Sequence, residues 1–298
     1  MSQMNKLYDS FTTYIRCELN LSARTVSSYT YDLGQWQRFT IDAFGEDFDP
    51  ARTTVGDIRL WVAHLSRQGI SQRSIRRKIQ TLRAFFHYLM LRHGLAANPA
   101  AEITPARLPK PLPRAIRPAD TVAVMRSEAD AADFIAVRNR LVVDILYSTG
   151  MRASELASLR TADINLAAGS LRVMGKRRRE RVIPFGEQLA ADISAYLNLR
   201  PADSAPTLLV DEAGEPLQYR HILATVKQQF AAVGTAATPH ALRHSCATDM
   251  LNGGAELTAV QQLLGHASLA TTQIYTHLSF RDLKQNYQLA HPRALKHG

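Results

Sequence analysis

The chain has 298 residues, with 36 Lys and Arg against 26 Asp and Glu, a formal net charge of +10 and a pI of about 9.9. That length accommodates two domains, and a hydrophobic content of 46% excludes global disorder. The basic balance favours a polyanionic partner, nucleic acid before a membrane surface. No apolar run reaches the roughly 18 residues of a membrane span, and the start, MSQMNKLYDSF, lacks the apolar core of a signal peptide. The two cysteines, Cys17 and Cys246, argue against a disulfide framework or a structural zinc site and suit a reducing cytoplasm.

Residues 1–98 read as a helical domain. Helices are expected at 7–19, at 23–39 behind a Ser22 cap, and from a cap at Asp57, with Ile58, Leu60, Trp61 and Leu65 as the apolar side. A fourth, capped by Ser71 and running to about Arg92, has Ile75, Ile79, Leu82, Phe86 and Leu89 at core spacing. Arg73, Arg76, Arg77 and Arg83 populate its other side, and no acid lies between Ser71 and Arg92. Most such faces are merely solvated. On a chain of this charge the face is read as a surface for duplex DNA.

Residues 99–118 form a linker. Prolines at 99, 105, 109, 111, 113 and 118 keep it extended, and Arg107, Lys110, Arg114 and Arg117 make it basic.

Residues 119–298 form the second domain. Helices are expected at 118–127 and 131–148, the latter stopped by Gly150, and at 153–159, with Arg152 at its start and Glu155 in its first turn. Short strands follow at 164–166, 171–174 and 182–184. The second hairpin turn, GKRRRE, carries Lys176, Arg177, Arg178 and Arg179, with Arg181 just beyond. It is read as a basic loop placed against DNA rather than a solvated tip. Helices at 187–199 and 219–233 lead to the stretch that organises the chain, TPHALRHSCATDMLNGGAELTAVQQLLGHASLATTQIYT. Pro239 suits a helix start, and His240, Arg243 and His244 stand three and four apart on one face. Gly253 and Gly254 end that helix. A second runs 257–264, terminated by Gly265 with His266 just beyond, and a third helical run carries Tyr275. An amphipathic helix at 278–289 is expected near the end. Guanidiniums match phosphate oxygens, imidazoles move protons, and a phenol can be a covalent nucleophile, so the set suits attack on a phosphodiester. The i, i+4 spacing of His240 and His244 would suit zinc, but Ala241 stands where H-E-x-x-H needs its glutamate, so no metal is expected.

H-x-x-R-H, then L-G-H, then a tyrosine nine residues after that histidine, together with Arg152 in TGMRASEL and Lys176 in VMGK, resembles the signature of the tyrosine recombinases. The likeness runs over essentially the whole chain. The ending, YTHLSF followed by AHPRA, is most similar to the Xer chromosome-dimer resolution recombinases, in particular their XerC branch. The resemblance implies a mainly α fold with a small antiparallel β-sheet, an N-terminal SAM-like helical core-binding domain that clamps DNA, and a C-terminal catalytic domain. It also implies a terminal exchange helix that docks into a neighbouring subunit. The catalytic set it implies is Arg152, Lys176, His240, Arg243 and His266, with Tyr275 as the nucleophile that forms a 3′-phosphotyrosyl link. Arg73, Arg76, Arg77, Arg83, Arg177, Arg178 and Arg179 are the expected DNA contacts. The chemistry needs no cofactor. The implied partners are double-stranded DNA at a dif-type site, a XerD-like recombinase in a cyclic heterotetramer and an FtsK-type translocase, in the cytoplasm at the nucleoid. The alternatives are an integrase of a mobile element, which often carries an extra N-terminal module, and a non-catalytic DNA-binding protein. The sequence departs from the family pattern in the turn, where Arg177 and Arg179 replace a glycine and a lysine. It departs again at Cys246 and Asp249, where an aromatic or small residue and a histidine are commoner.

Overall fold

The computed structural model describes residues 3–46, 48–105, 116–125, 132–175, 180–265 and 279–294. The chain divides into two compact units, Met1–Lys110 and Pro111–Gly298. The described residues are mainly helical, with one small antiparallel sheet.

The first unit contains α1 (Gln3–Thr13), which runs on through a π turn (Tyr14–Glu18), then α2 (Ala23–Phe44), α3 (Val55–Arg67) and α4 (Gln72–His93). Ser22 and Ser71 cap α2 and α4 as their positions predict, each accepting from a backbone N–H three residues on. Two expectations change. The cap of α3 is Thr54, and Asp57 is its reciprocal partner, accepting from the Thr54 backbone N–H at 2.8 Å. Leu60 is 53% exposed, because Ile58, Trp61 and Leu65 already fill the narrow inward stripe of α3. The core is aromatic. Trp36 meets Trp61 edge-on at 5.2 Å, and Phe11 meets Phe85 in the same manner at 5.4 Å. Ala100 and Ile103, at the start of the proline-rich segment, are also buried in this core.

Inside this unit Asp32 is fully buried. It accepts from Lys78 at 2.9 Å and Thr81 at 3.0 Å, and is paired with Arg77. Lys78 thus turns inward from the basic helix, since an unpaired buried carboxylate would be costly.

The second unit begins with α5 (Pro118–Met125) and α6 (Phe134–Thr149). Every residue from Leu141 to Thr149 is buried, which makes α6 the central helix of this core. After it come α7 (Ala153–Ser158) and a three-stranded antiparallel meander, β1 (Ile164–Asn165), β2 (Ser170–Met174) and β3 (Glu180–Pro184). Leu171 pairs with Ile183 and Val173 with Arg181, so Arg181 shares a strand face with buried Ile183. The remaining helices are α8 (Glu187–Leu199), α9 (Tyr219–Ala232), α10 (Pro239–Asn252), α11 (Leu257–Leu264) and α12 (Phe280–Ala290). Gly150 closes α6 in the left-handed region (φ 58°), and a Cβ there would come within 2.6 Å of the Leu264 side chain. That close approach brings the end of α6 against the end of α11.

In the single chain the terminal helix α12 packs on its own unit. It closes the core of its own unit, burying Leu283, Tyr287 and Ala290 against α10, α11 and β3. Beyond it Arg293 is ion-paired with Asp144 on α6 and, at 3.0 Å, with Asp192 on α8. Among the described residues no helix is long and apolar enough to cross a membrane.

The tightest point of this docking is Gly253, where an added Cβ would lie 2.2 Å from the Ala290 carbonyl oxygen. Gly253→Ala should therefore displace α12, at the roughly 1–3 kcal/mol cost of overpacking. The expected outcome is a lower melting temperature with faster proteolysis after residue 278; an unchanged protein would mean the helix is not held there.

Candidate active site

Three arginines from distant parts of the second unit converge where the ends of α6 and α11 meet. Arg152 precedes α7, Arg181 lies on β3 and Arg243 on α10. Arg152 and Arg181 share an anchor in Glu155, whose side chain is only 6% exposed. It accepts from the Arg152 backbone N–H at 2.8 Å and the Arg152 guanidinium at 2.9 Å. Arg181 binds it through both terminal nitrogens, at 3.0 and 2.8 Å. Burial opposes ionisation of Glu155, but the hydrogen bonds from Arg181 and Arg152 outweigh it and hold the carboxyl below its ordinary pKa.

Arg243 is 7% exposed and reaches two main-chain carbonyls, Gly150 at 2.5 Å and Leu264 at 2.6 Å. Burial first, then repulsion from Arg152 and Arg181, pulls its pKa down to about 10. The other two arginines touch the same turn. Arg181 Nε donates to the Leu263 carbonyl at 2.9 Å, and Arg152 lies 3.5 Å from that of Gly265. Three guanidiniums against one carboxylate leave two positive charges uncompensated within the cluster. Such a seat favours an anion whose oxygens accept forked N–H donors.

His240 and His244 are exposed on α10, while Arg243 points inward, so the expected shared face is divided between solvent and the seat. Lys176, Arg177, Arg178, Arg179, His266 and Tyr275 lie outside the described residues. In the first unit Arg73 and Arg76 are exposed. Arg77 is ion-paired with Asp32, and Arg83 donates to the carbonyls of Ala100 at 3.0 Å and Ile103 at 2.6 Å. Arg83 thus holds the start of the proline-rich segment. Sequence reasoning missed the work of Glu155 and Arg181, the first read as a helix-turn acid and the second as part of a DNA-facing tip. The available signal was alternation, since Arg181 falls in phase with inward-facing Ile183.

The model of the phage integrase family matches residues 117–282, and that of the phage integrase N-terminal SAM-like domain matches residues 8–93. The chain is 36% identical to the tyrosine recombinase XerC of Mycobacterium tuberculosis over 98% of this chain and all of that one. The chain belongs to the tyrosine recombinases of the phage integrase family. It is also 33% identical to the XerC of Chlorobaculum parvum, over 96% of this chain and 94% of the other. The fold is shared with two solved structures. The Tn1549 transposon integrase in complex with transposon right end DNA has a TM-score of 0.70 at 18% identity, covering 90% of this chain and 92% of that one. The XerH recombinase bound to its difH substrate has a TM-score of 0.67 at 21% identity, covering 95% and 83%. As a site-specific tyrosine recombinase, this chain is a DNA breaking and rejoining enzyme.

Behind α10 lies a buried layer that supports the seat. Asp249 accepts from the Tyr147 hydroxyl at 2.8 Å. His291, fully buried, stacks on Tyr287 with centroids 4.7 Å apart and meets Tyr147 edge-on. Its Nδ1 accepts from the Arg293 backbone N–H at 3.1 Å, so the neutral ring carries its proton on Nε2, 3.7 Å from Cys246 Sγ. Burial pushes the Cys246 thiol up to about 12 and His291 down to about 4.

An unfolded histidine protonates near 6.5, whereas the buried one resists protonation until about 4. Its contribution to stability is therefore complete above pH ~6.5 and is lost as pH falls towards 4, by up to about 3 kcal/mol. Asp192, pushed up to about 6 by burial and then by Asp144, acts in the opposite sense over an overlapping range. Comparison with His291→Phe removes that background. In urea titrations from pH 7 to 4.5 the wild type should lose stability more steeply than the variant; parallel curves would mean His291 titrates normally.

Proposed function

We propose that this enzyme is the XerC-type member of a pair of recombinases that resolves chromosome dimers. It would act at a dif-type DNA site with a XerD-like partner in a cyclic heterotetramer, under an FtsK-type translocase, in the cytoplasm at the nucleoid. The observation that carries this reading is the match, at 33–36% identity, to XerC proteins over nearly the full length of both chains. The basic balance of the chain and the anion seat agree with a DNA substrate.

In this reading the scissile phosphate enters the seat, and Arg152 and Arg243 donate to its non-bridging oxygens. Their charge is most useful in the phosphorane transition state, where negative charge on those oxygens is greatest. His240 and His266 add donors or carry protons. The Tyr275 oxygen attacks phosphorus while the bond to the 5′ oxygen breaks. The products are a 3′-phosphotyrosyl link and a free 5′-hydroxyl. Lys176 protonates the leaving oxygen. Arginine is a poor acid because its pKa of about 12 or more holds the proton tightly, whereas lysine starts near 10.4 and falls beside other cations. The covalent link conserves the phosphoester, so the 5′-hydroxyl of a new strand reverses the step. Arg73 and Arg76 face the DNA backbone, and Arg177, Arg178 and Arg179 approach it from the hairpin.

A suicide substrate nicked beside the cleavage point tests these roles. Tyr275→Phe should bind half-sites normally and form no covalent adduct, and an adduct at another tyrosine would remove the assignment. Lys176→Ala should cleave very slowly, and a substrate with sulfur at the 5′-bridging position, which leaves without a proton, should restore it. Sulfur should not restore Arg152→Ala. Rescue of Arg177→Ala instead of Lys176→Ala would move the acid to another residue of the turn. Failure of dif-like half-sites to bind with a XerD-like partner would contradict the XerC-type role.

A further inference from the structure

We propose that Arg181 is a positioning residue for cleavage, which fixes the Arg152 guanidinium at the scissile phosphate by holding Glu155. The inference rests on the reading of Arg152 as a phosphate donor.

The geometry separates Arg181 from the rest of the basic hairpin. Its side chain is 12% exposed, and its donors meet internal partners. Two terminal nitrogens bind both oxygens of Glu155, and Nε binds the Leu263 carbonyl, so one planar group ties β3 to α7 and to the end of α11. Gly265 leaves the room this needs. A Cβ there would lie 3.1 to 3.3 Å from Cδ, Nε and Cζ of Arg181, and the backbone is left-handed at φ 64°.

Glu155 is shared. Oε1 accepts from both Arg152 and Arg181, and Oε2 accepts from Arg181 and the Arg152 backbone. With Arg181 in place, the carboxylate is divided between two cations, and Arg152, 40% exposed, keeps donors and charge for a ligand. Without Arg181, Glu155 is free to turn onto Arg152 alone and neutralise it. Arg181 thus orients Arg152 and limits how strongly Glu155 competes with the phosphate. Lysine cannot replace it, because one ammonium cannot bridge both carboxylate oxygens and the Leu263 carbonyl in a plane.

The test compares wild type, Arg181→Lys and Arg181→Met on two suicide substrates. One carries an ordinary scissile phosphodiester, the other a methylphosphonate, in which a methyl group replaces one non-bridging oxygen and removes the charge. A neutral linkage depends less on the guanidinium clamp. On the phosphodiester, Arg181→Lys should cleave about 10²-fold more slowly than wild type, the size of effect expected from a misplaced group, and Arg181→Met more slowly still. Half-site affinity should hold. On the methylphosphonate the three rates should converge to within about tenfold of each other, the remainder reflecting general loss of order. The 5′-bridging sulfur substrate should leave the defect in place, since the proton donor is not affected. Equal losses on phosphodiester and methylphosphonate, rescue by sulfur, or a wild-type rate for Arg181→Lys would each overturn the proposal. Arg181→Met retains the apolar stem beside Gly265, and melting temperatures of both variants identify one that fails to fold. If only Arg181→Met unfolds, the Arg181→Lys comparison decides. If both unfold, Arg181 is a folding residue and the proposal fails. Absence of any wild-type adduct on the phosphodiester would instead contradict the transesterase reading, a separate result.

Discussion

Glu155 accepts four N–H groups from Arg152 and Arg181, and Arg181 also donates to the Leu263 carbonyl, so three separate pieces of the catalytic unit meet at one point. The start of α7, the strand β3 and the turn after α11 are far apart in sequence, yet each contributes a group to this carboxylate or to the guanidiniums bound to it. The buried carboxylate is satisfied because each of its oxygens accepts two N–H groups, and removal of either cation would leave acceptor positions on Glu155 unfilled. Arg243 extends the same logic through the Gly150 and Leu264 carbonyls. The cluster is therefore built before any ligand arrives, and its excess positive charge suits an anion.

The C-terminal segment is the second constraint. Arg293 joins Asp144 and Asp192 while His291, Tyr287 and Tyr147 pack as one aromatic layer beneath α10. Arg243 sits on that same helix. The docking is within the same chain, through Leu283, Tyr287 and Ala290, so the tail contributes to the stability of its own unit.

Much of the fold was legible because its signals are local. Ser22 and Ser71 cap where their spacing implies, Gly150 and Gly265 stop their helices in the left-handed region, and helices α8 and α11 match the sequence expectation to the residue. Arg152, His240 and Arg243 were legible as a pattern. Their division between solvent and seat was not, since it depends on which carbonyls come within reach after folding. Alternation marks Arg181 as inward-facing, but its pairing with Glu155, 26 positions away, could not be read from periodicity, because a long-range ion pair has no period. For the same reason Arg77 and Arg83 looked like their exposed neighbours on α4, although one answers Asp32 and the other the carbonyls of Ala100 and Ile103.

The cluster around Glu155 is proposed as the seat of the scissile phosphate. The most direct measurement is a crystal structure of the enzyme on a cleaved half-site with vanadate bridging the tyrosine and the 5′-hydroxyl. Vanadate oxygens should lie within about 3.2 Å of the guanidinium nitrogens of both Arg152 and Arg243, with Arg181 still forked on Glu155. A vanadate held away from these arginines, or one that Arg152 does not touch because it remains closed on Glu155, would contradict it.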